Sequence, residues 1–508
     1  MTLLIKNALL LGAREEPGKP FDVFISGEKI SAIGDFPHKG ADIVFDAQRA
    51  YLAPAFIDPD TTSDHYLTVF DNPGQEDFLK QGAGTIIGGH CGSSLAPLLY
   101  GSLESMRKWR DTDIVNVDWH TTKEFFRHIE KHPLGVNFGT LTGHATLRRA
   151  LVGDAVRDLT KNEFRVFEEA FSLALAEGSF GISFGLEYIH GHDTPEGEII
   201  KLAQLVAKKR RVVAMHLRDT GVDLPRAFEE AVRIGEASGT TIFISHLLPI
   251  AGFEREYESV LEKIDKLPEN FPLYFGVHPF ETTTVPLYRL LPPWARKGNL
   301  ETMAAQVHDG WMVSKIMKEI SVPDPKAIVI AYAPDHPFLA GKTLEEIRES
   351  SGAKNPEEAL MELMVRTNLR AVVHQANIAP ALLTRALMHP RSLIASHAPG
   401  VSDIRFFAPS KRSTATFTEF IARSQKEGVE ISATVKKLTS LPANIFGIKN
   451  RGACIEGAAA DLVCFALKQG TDGASSCDVK CVVVNGAMAA KDGAALGTRT
   501  GKTVFSSR

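Results

Sequence analysis

The sequence predicts an α/β protein. The expected architecture is a (β/α)8 barrel with a small β-sandwich built from both chain termini and a lid inserted between barrel strands seven and eight. Three observations predict it. Short apolar runs alternate with helix-patterned segments through the middle of the chain, both ends are rich in short strands separated by turns, and one connection, 281–391, is too long for a single crossover.

The opening segment, 1–52, reads as strands at 3–11, 22–26, 29–33 and 42–46, with Gly27-Glu28 as a tight turn. The far end has the same character, with strands at 461–465, 481–484 and 487–491 and an Asn485-Gly486 turn. Residues 1–52 and 445–508 are therefore expected to form one sandwich. Between them, 53–444 is expected to be the barrel. Its buried strands are placed at 51–57, 84–88, 136–141, 181–184, 212–215, 241–244, 273–277 and 392–395, each an apolar run ending in polar residues. Helical patterns at 161–177, 196–209, 224–238 and 257–267 separate several of them. Open doubly wound sheets share this alternation, but eight strands match the barrel's arithmetic. Residues 281–391 become a helical lid subdomain over the mouth.

Composition excludes several classes. In 508 residues, 57 Lys and Arg offset 61 Asp and Glu, and a net charge of −4 gives no long-range attraction for nucleic acid or acidic lipid. Five cysteines without a CxxC spacing fit a reducing compartment rather than a disulfide framework. Lys6 and Asn7 break the apolar opening run, and no stretch reaches the ~18 apolar residues of a membrane span. A cytoplasmic protein acting on a small molecule, as a monomer or a homo-oligomer, is expected.

Barrel active sites are built where strands end. Here those ends carry Asp58, Asp60, His90-Cys91, His144, Tyr188, His216, His246, His278 and His397. A lone histidine in such a place is ordinarily a packed core residue. Six of the 17 histidines gathered there point instead to a metal, and imidazole with thiolate points to zinc.

The segment Gly89-His90-Cys91-Gly92-Ser93-Ser94-Leu95-Ala96-Pro97 resembles the N-C-G-x-S-x-A-P stretch of the D-aminoacylases, N-acyl-D-amino-acid deacylases of the amidohydrolase superfamily. Residues 143–148 resemble their G-H-x-x-L-R and 181–188 their G-I-S-x-G-x-x-Y. His216-Leu217-Arg218-Asp219 is similar to H-x-R-D, and Ile244-Ser245-His246 to I-S-H. Segments 438–443, 457–463 and 484–486 follow in the same order, so the resemblance spans nearly the whole chain. It implies a metal-dependent amide hydrolase of the same barrel-and-sandwich build, with one tightly bound zinc on Cys91, His216 and His246. Three protein ligands leave a fourth position for water, the catalytic arrangement.

The chain also departs from that family. Asp60 and Thr62 occupy the two positions of the family's H-x-H pair after strand one, so a second metal site is expected to be lost unless Asp60 supplies an oxygen ligand. Where the family carries its acid/base Asp in S-D-G, this chain has Ser396-His397-Ala398. His397 either carries the proton between water and leaving nitrogen or closes the site as a fourth ligand. Asp60 and Asp403 are the other candidate bases. Leu248 replaces a lysine that contacts substrate carboxylate in the family. Arg412 aligns loosely with a carboxylate-binding arginine, but the Lys411-Arg412 pair reads more readily as solvated surface. Tyr188, His144 and His278 are candidate substrate contacts, against the plainer reading of buried residues satisfied by packing. His190 and His192 read as a solvated loop. Two functions compete: a mononuclear zinc hydrolase of a small N-acyl amino acid, and a catalytically degenerate relative that binds or scaffolds.

Overall fold

Strand β1 (Thr2–Leu10) pairs with β2 (Phe21–Ser26), which carries β3 (Lys29–Gly34) on its other edge, and β1 also takes β4 (Ile43–Asp46) and β5 (Tyr51–Pro54) in parallel. The single strand predicted over 51–57 is in fact two. Pro54, which has no N–H, ends β5; the Ala55 N–H donates to Asp461 O, and β6 (Phe56–Asp58) changes sheet to begin the barrel. The computed structural model describes residues 1–506 apart from 13–17, 37–38, 154, 156, 402–406 and 470–474.

The barrel continues with β7 (Ala83–Gly88), then β8 (Asn137–Thr140) extended by β9 (Thr142–Gly143), β10 (Gly181–Gly185), β11 (Val212–His216), β12 (Thr241–Ile244) and β13 (Leu273–Val277). After β13 comes an antiparallel sheet of β14 (Thr282–Pro286), β15 (Ile328–Tyr332) and β16 (Val372–Ala376), in the order β14-β16-β15. Strand β17 (Ser392–Ile394) then returns to pair in parallel with β13. The recorded pairings between barrel neighbours are all parallel. Helices such as Lys161–Ala176, Glu196–Lys208 and Leu224–Ser238 cover the outside. No helix among the described residues is long and apolar enough to cross a membrane.

The period of two along each strand decides what reaches the mouth. On β11, Val213 and Met215 belong to the apolar layer under the helices, while Val212 and Ala214 belong to the inner cluster with Ile87, Phe243 and Leu393. His216 continues that inner face at the strand's last residue. The sandwich is completed by β18 (Leu462–Gln469), β19 (Ser475–Val484) and β20 (Ala487–Lys491). Because β18 pairs with β5, both ends of the chain share one sheet, around a core that includes Leu3, Ile25, Leu52, Leu462 and Val483.

Asp58 closes the seam between β6 and β17. Its carboxylate accepts the Ser396 N–H, the Ser396 hydroxyl and the Asp60 N–H. Backbone bonds from His397 N to Asp60 O (2.9 Å) and from Thr62 N to Ala398 O (3.2 Å) continue the seam. Full burial outweighs the hydrogen bonds and pushes the Asp58 carboxyl up to about 7 from its ordinary 3.8. Between those values the folded chain holds a proton that the unfolded chain has released, so Asp58 stabilises the fold less as pH rises through that window. The stability of wild type minus Asp58→Asn, from urea melts, is therefore expected to fall from about pH 4 to about pH 7 and then level off. A difference independent of pH would place the buried ionisation elsewhere.

Candidate metal centre

Strand β7 ends at Gly88 and the chain turns at once through Gly89-His90-Cys91-Gly92. A Cβ on Gly89 (φ +78°) would lie 2.2 Å from Leu141 O, so the turn approaches the end of β8 more closely than any other residue allows. Cys91 takes φ +52° and His397 takes φ +43°. Non-glycine residues held in this region cost about 1–3 kcal/mol each, and they persist where the surroundings over-determine them.

The turn aims the Cys91 sulfur at the ends of β11 and β12. Sγ lies 3.8 Å from His216 Nδ1 and 3.7 Å from His246 Nε2, and those two nitrogens are 2.7 Å apart. His397 joins from the far side: ligand atoms of Cys91, His246 and His397 all lie within 4.8 Å of one another, and the His397 ring packs 4.1 Å from that of His246. His216 Nε2 lies 2.8 Å from Glu187 Oε2. With Nε2–H donating to that carboxylate, the ring turns the Nδ1 lone pair toward the sulfur. One thiolate and neighbouring imidazoles, one of them oriented by a carboxylate, fit a zinc ion. Burial pulls His216 down to about 3 and His246 well below its usual range, which keeps both imidazoles uncharged as ligation requires. The Cys91 thiol is pushed well up by the same burial.

Beside this cluster stands Asp60, fully buried, its Oδ1 3.2 Å from His397 Nδ1 and 3.8 Å from His90 Nδ1. Its Oδ2 has no partner among the described residues, and burial raises its carboxyl to about 6. Burial, reinforced by Arg412, holds His397 well below the ordinary histidine range. A cleft over the cluster is lined by Tyr188, Leu248, Arg289 and Arg412, with Thr283 and Thr284 of β14 and Gln375 of β16 as its roof.

The structure sorts the other expected residues. Tyr188 lines this cleft, its ring 4.4 Å from that of His216 and edge-on to Trp109 at 5.3 Å. Arg412 is not solvated surface: it is 1% exposed, at the start of the helix Lys411–Lys426. It donates to Thr284 Oγ1, while Nε and Nη1 have no partner among the described residues. The surface reading fails because position on the helix, not residue type, decides burial. His278 is fully buried, with both ring nitrogens unpartnered among the described residues. His144 turns away: as the first residue of the helix His144–Val152 it packs between Phe167 and Phe184 and pairs with Glu198 at 2.7 Å. It is buried in the core between barrel and helices, with Nε2 taken by Glu198. Asp403 lies outside the described residues. His192 is in the solvated loop, paired with Asp193.

Sequence reasoning missed Glu187, Arg289, Lys108 and His374. Buried Lys108 donates to Ser93 Oγ at 2.7 Å and to Ser105 O at 3.0 Å, and burial lowers it to about 8. His374 of β16 meets Thr284 Oγ1 at 2.7 Å. Only Glu187 carried a local signal, since it falls inside the 181–188 motif. The others are brought in by loops or the insertion.

Comparison with known proteins extends these observations. No family model matches the chain. It is 27% identical to an N-acyl-D-aspartate deacylase of Alcaligenes xylosoxydans xylosoxydans over 489 residues, 93% of this chain and 87% of the relative. It is 25% identical to a D-aminoacylase of the same organism over 519 residues, 99% of this chain and 97% of the other. Its fold matches that of an N-acyl-D-glutamate deacylase from Bordetella bronchiseptica, with a TM-score of 0.78 at 22% identity and 99% of each chain covered. That protein was solved with zinc and a phosphonate inhibitor, a mimic of the reaction's tetrahedral intermediate.

Proposed function

We propose that this chain, a divergent relative of the D-aminoacylases, hydrolyses the amide bond of a small N-acylated amino acid and holds one zinc ion at Cys91, His216 and His246. The convergence of one sulfur and two nitrogens within 2.7–3.8 Å of each other at the barrel mouth carries the reading. Zinc bound by these residues supplies Lewis acidity, polarising an amide carbonyl and acidifying water. A single ion is favoured because Asp60 and Thr62 stand where the D-aminoacylase resemblance implies an H-x-H pair, and Asp60 Oδ1 is already engaged by His397.

His397 moves the proton. Asp60 Oδ1 holds the Nδ1–H, which leaves Nε2 to take a proton from the attacking water and deliver it to the amide nitrogen as that bond breaks. Arg412 receives the substrate carboxylate through Nε and Nη1, which have no partner among the described residues. The Tyr188 and Trp109 rings and the roof from β14 and β16 exclude bulk water. The alternative of a binding or scaffold protein has less behind it. Buried polar atoms left open at Asp60, His278 and Arg412 cost about 1–3 kcal/mol each, a cost expected where a ligand will meet them.

The test is zinc per chain by elemental analysis, with amine release from N-acetyl and N-formyl amino acids of both hands. About one zinc and measurable release are expected; a metal-free protein, or a zinc-loaded one inert on every amide, overturns the proposal. Arg412→Met is expected to raise KM for such substrates roughly 10- to 100-fold, the weight of a lost charge-assisted pair. It should leave KM for N-acyl amines, which have no carboxylate, unchanged. Equal effects on both would remove Arg412 from carboxylate recognition.

A further inference from the structure

The Glu187 carboxylate that meets His216 is divided between the barrel and the insertion. Oε2 meets His216 Nε2 at 2.8 Å, while Oε1 accepts from Arg289 Nη2. Arg289 Nη1 also reaches the Glu187 backbone carbonyl at 3.4 Å. Glu187 stands two residues past β10, beside the Tyr188 ring that packs on His216. Arg289 lies in the turn Leu287–Leu290 directly after β14, 102 residues along the chain. The three side chains are only 3%, 11% and 14% exposed for His216, Glu187 and Arg289, so water competes little for these bonds.

We propose that Glu187 is a positioning residue for the metal centre and Arg289 its latch. The guanidinium fixes the carboxylate, the carboxylate keeps the His216 proton on Nε2, and Nδ1 is thereby presented toward Cys91 and His246. This rests on the zinc reading above and adds to it a dependence of metal grip on the seating of the insertion. Without Glu187 the imidazole is free to take either tautomer and to rotate. Without Arg289 a nearly buried carboxylate loses its cation and has reason to swing toward water.

The experiment measures zinc affinity of the full-length protein by competition with a chromophoric chelator, together with the visible spectrum of the Co(II)-loaded form. Wild type is compared with Glu187→Gln, Glu187→Ala, Arg289→Ala, Arg289→Lys and the double alanine variant. Zinc binding is expected to weaken about 10- to 100-fold in Glu187→Ala, and in the same direction in Arg289→Ala, with part recovered in Arg289→Lys. The Co(II) bands should shift in Glu187→Ala. The double variant should bind no more weakly than Glu187→Ala, because both residues act along one path. If Glu187→Ala fails to fold, Glu187→Gln, which keeps the volume and one acceptor, decides. Unchanged affinity and spectrum in the Glu187 variants overturn this inference alone, and additive losses overturn the latch. A wild type that binds no zinc overturns the metal centre and this inference with it.

Discussion

Cys91→Ser is expected to empty the metal centre and abolish turnover while leaving the barrel folded. The substitution changes one atom at a buried position, so packing around the turn barely alters. The chemistry changes far more. A thiolate is a soft, strongly donating ligand for zinc, whereas a serine hydroxyl does not ionise near neutral pH and binds as a weak neutral oxygen. His216 and His246 alone then hold the ion, and two imidazoles give too few donors for a tight site. Zinc per chain should fall from about one to near zero after dialysis against a mild chelator, with amine release falling in proportion. Because metal bound only by the folded state stabilises it by mass action, added zinc should raise the melting temperature of wild type and not that of Cys91→Ser; at 1,000-fold excess over Kd the stabilisation is about 4 kcal/mol. Unchanged metal content in the variant would refute the ligand assignment.

The expected ligands that the structure brings together share a physical property. Strands β11, β12 and β13 are buried on both faces, so they read as apolar runs, and a histidine at or just past the end of such a run stands at the mouth whatever the loops do. His216 and His246 meet at the mouth for that reason, and the turn after β7 carries Cys91 to them. His144 also follows a strand, but it opens a helix, and helix geometry turns its side chain into the layer of Phe167 and Phe184. Arg412 was misjudged in the opposite direction, since nothing local records that the insertion and Tyr66 cover the start of its helix. The break at Ala55 was invisible because the apolar pattern continues across it while the backbone partner changes from the Asp461 end of β18 to Gly82 before β7. Arg289 acquires a role only through its contact with Glu187 across 102 residues, a tertiary fact with no periodic signature.

The question left by Ser396-His397-Ala398 is whether His397 carries protons or closes the site, and His397→Ala separates the two. As proton carrier, His397 is dispensable for zinc, and the variant should keep its metal while kcat falls roughly 10²- to 10⁴-fold, the usual range for a lost acid/base. As fourth ligand, its removal should lower zinc affinity and change the Co(II) spectrum, and it should open a coordination position instead of removing a base. The pairing with Asp60 favours the first outcome: with Nδ1 3.2 Å from Oδ1, the ring is oriented by a carboxylate that is itself fully buried. That orientation has a cost, since His397 sits at φ +43° on a seam held by its own N–H to Asp60 O. Asp60→Asn keeps an acceptor near Nδ1 and removes the charge, so kcat should fall by less than in His397→Ala. The double variant should be no slower than His397→Ala, because Asp60 acts through the ring and has nothing left to act on once the ring is gone. Independent, multiplying losses would mean that Asp60 works directly on water or substrate through its open Oδ2, and the base would then be Asp60 itself.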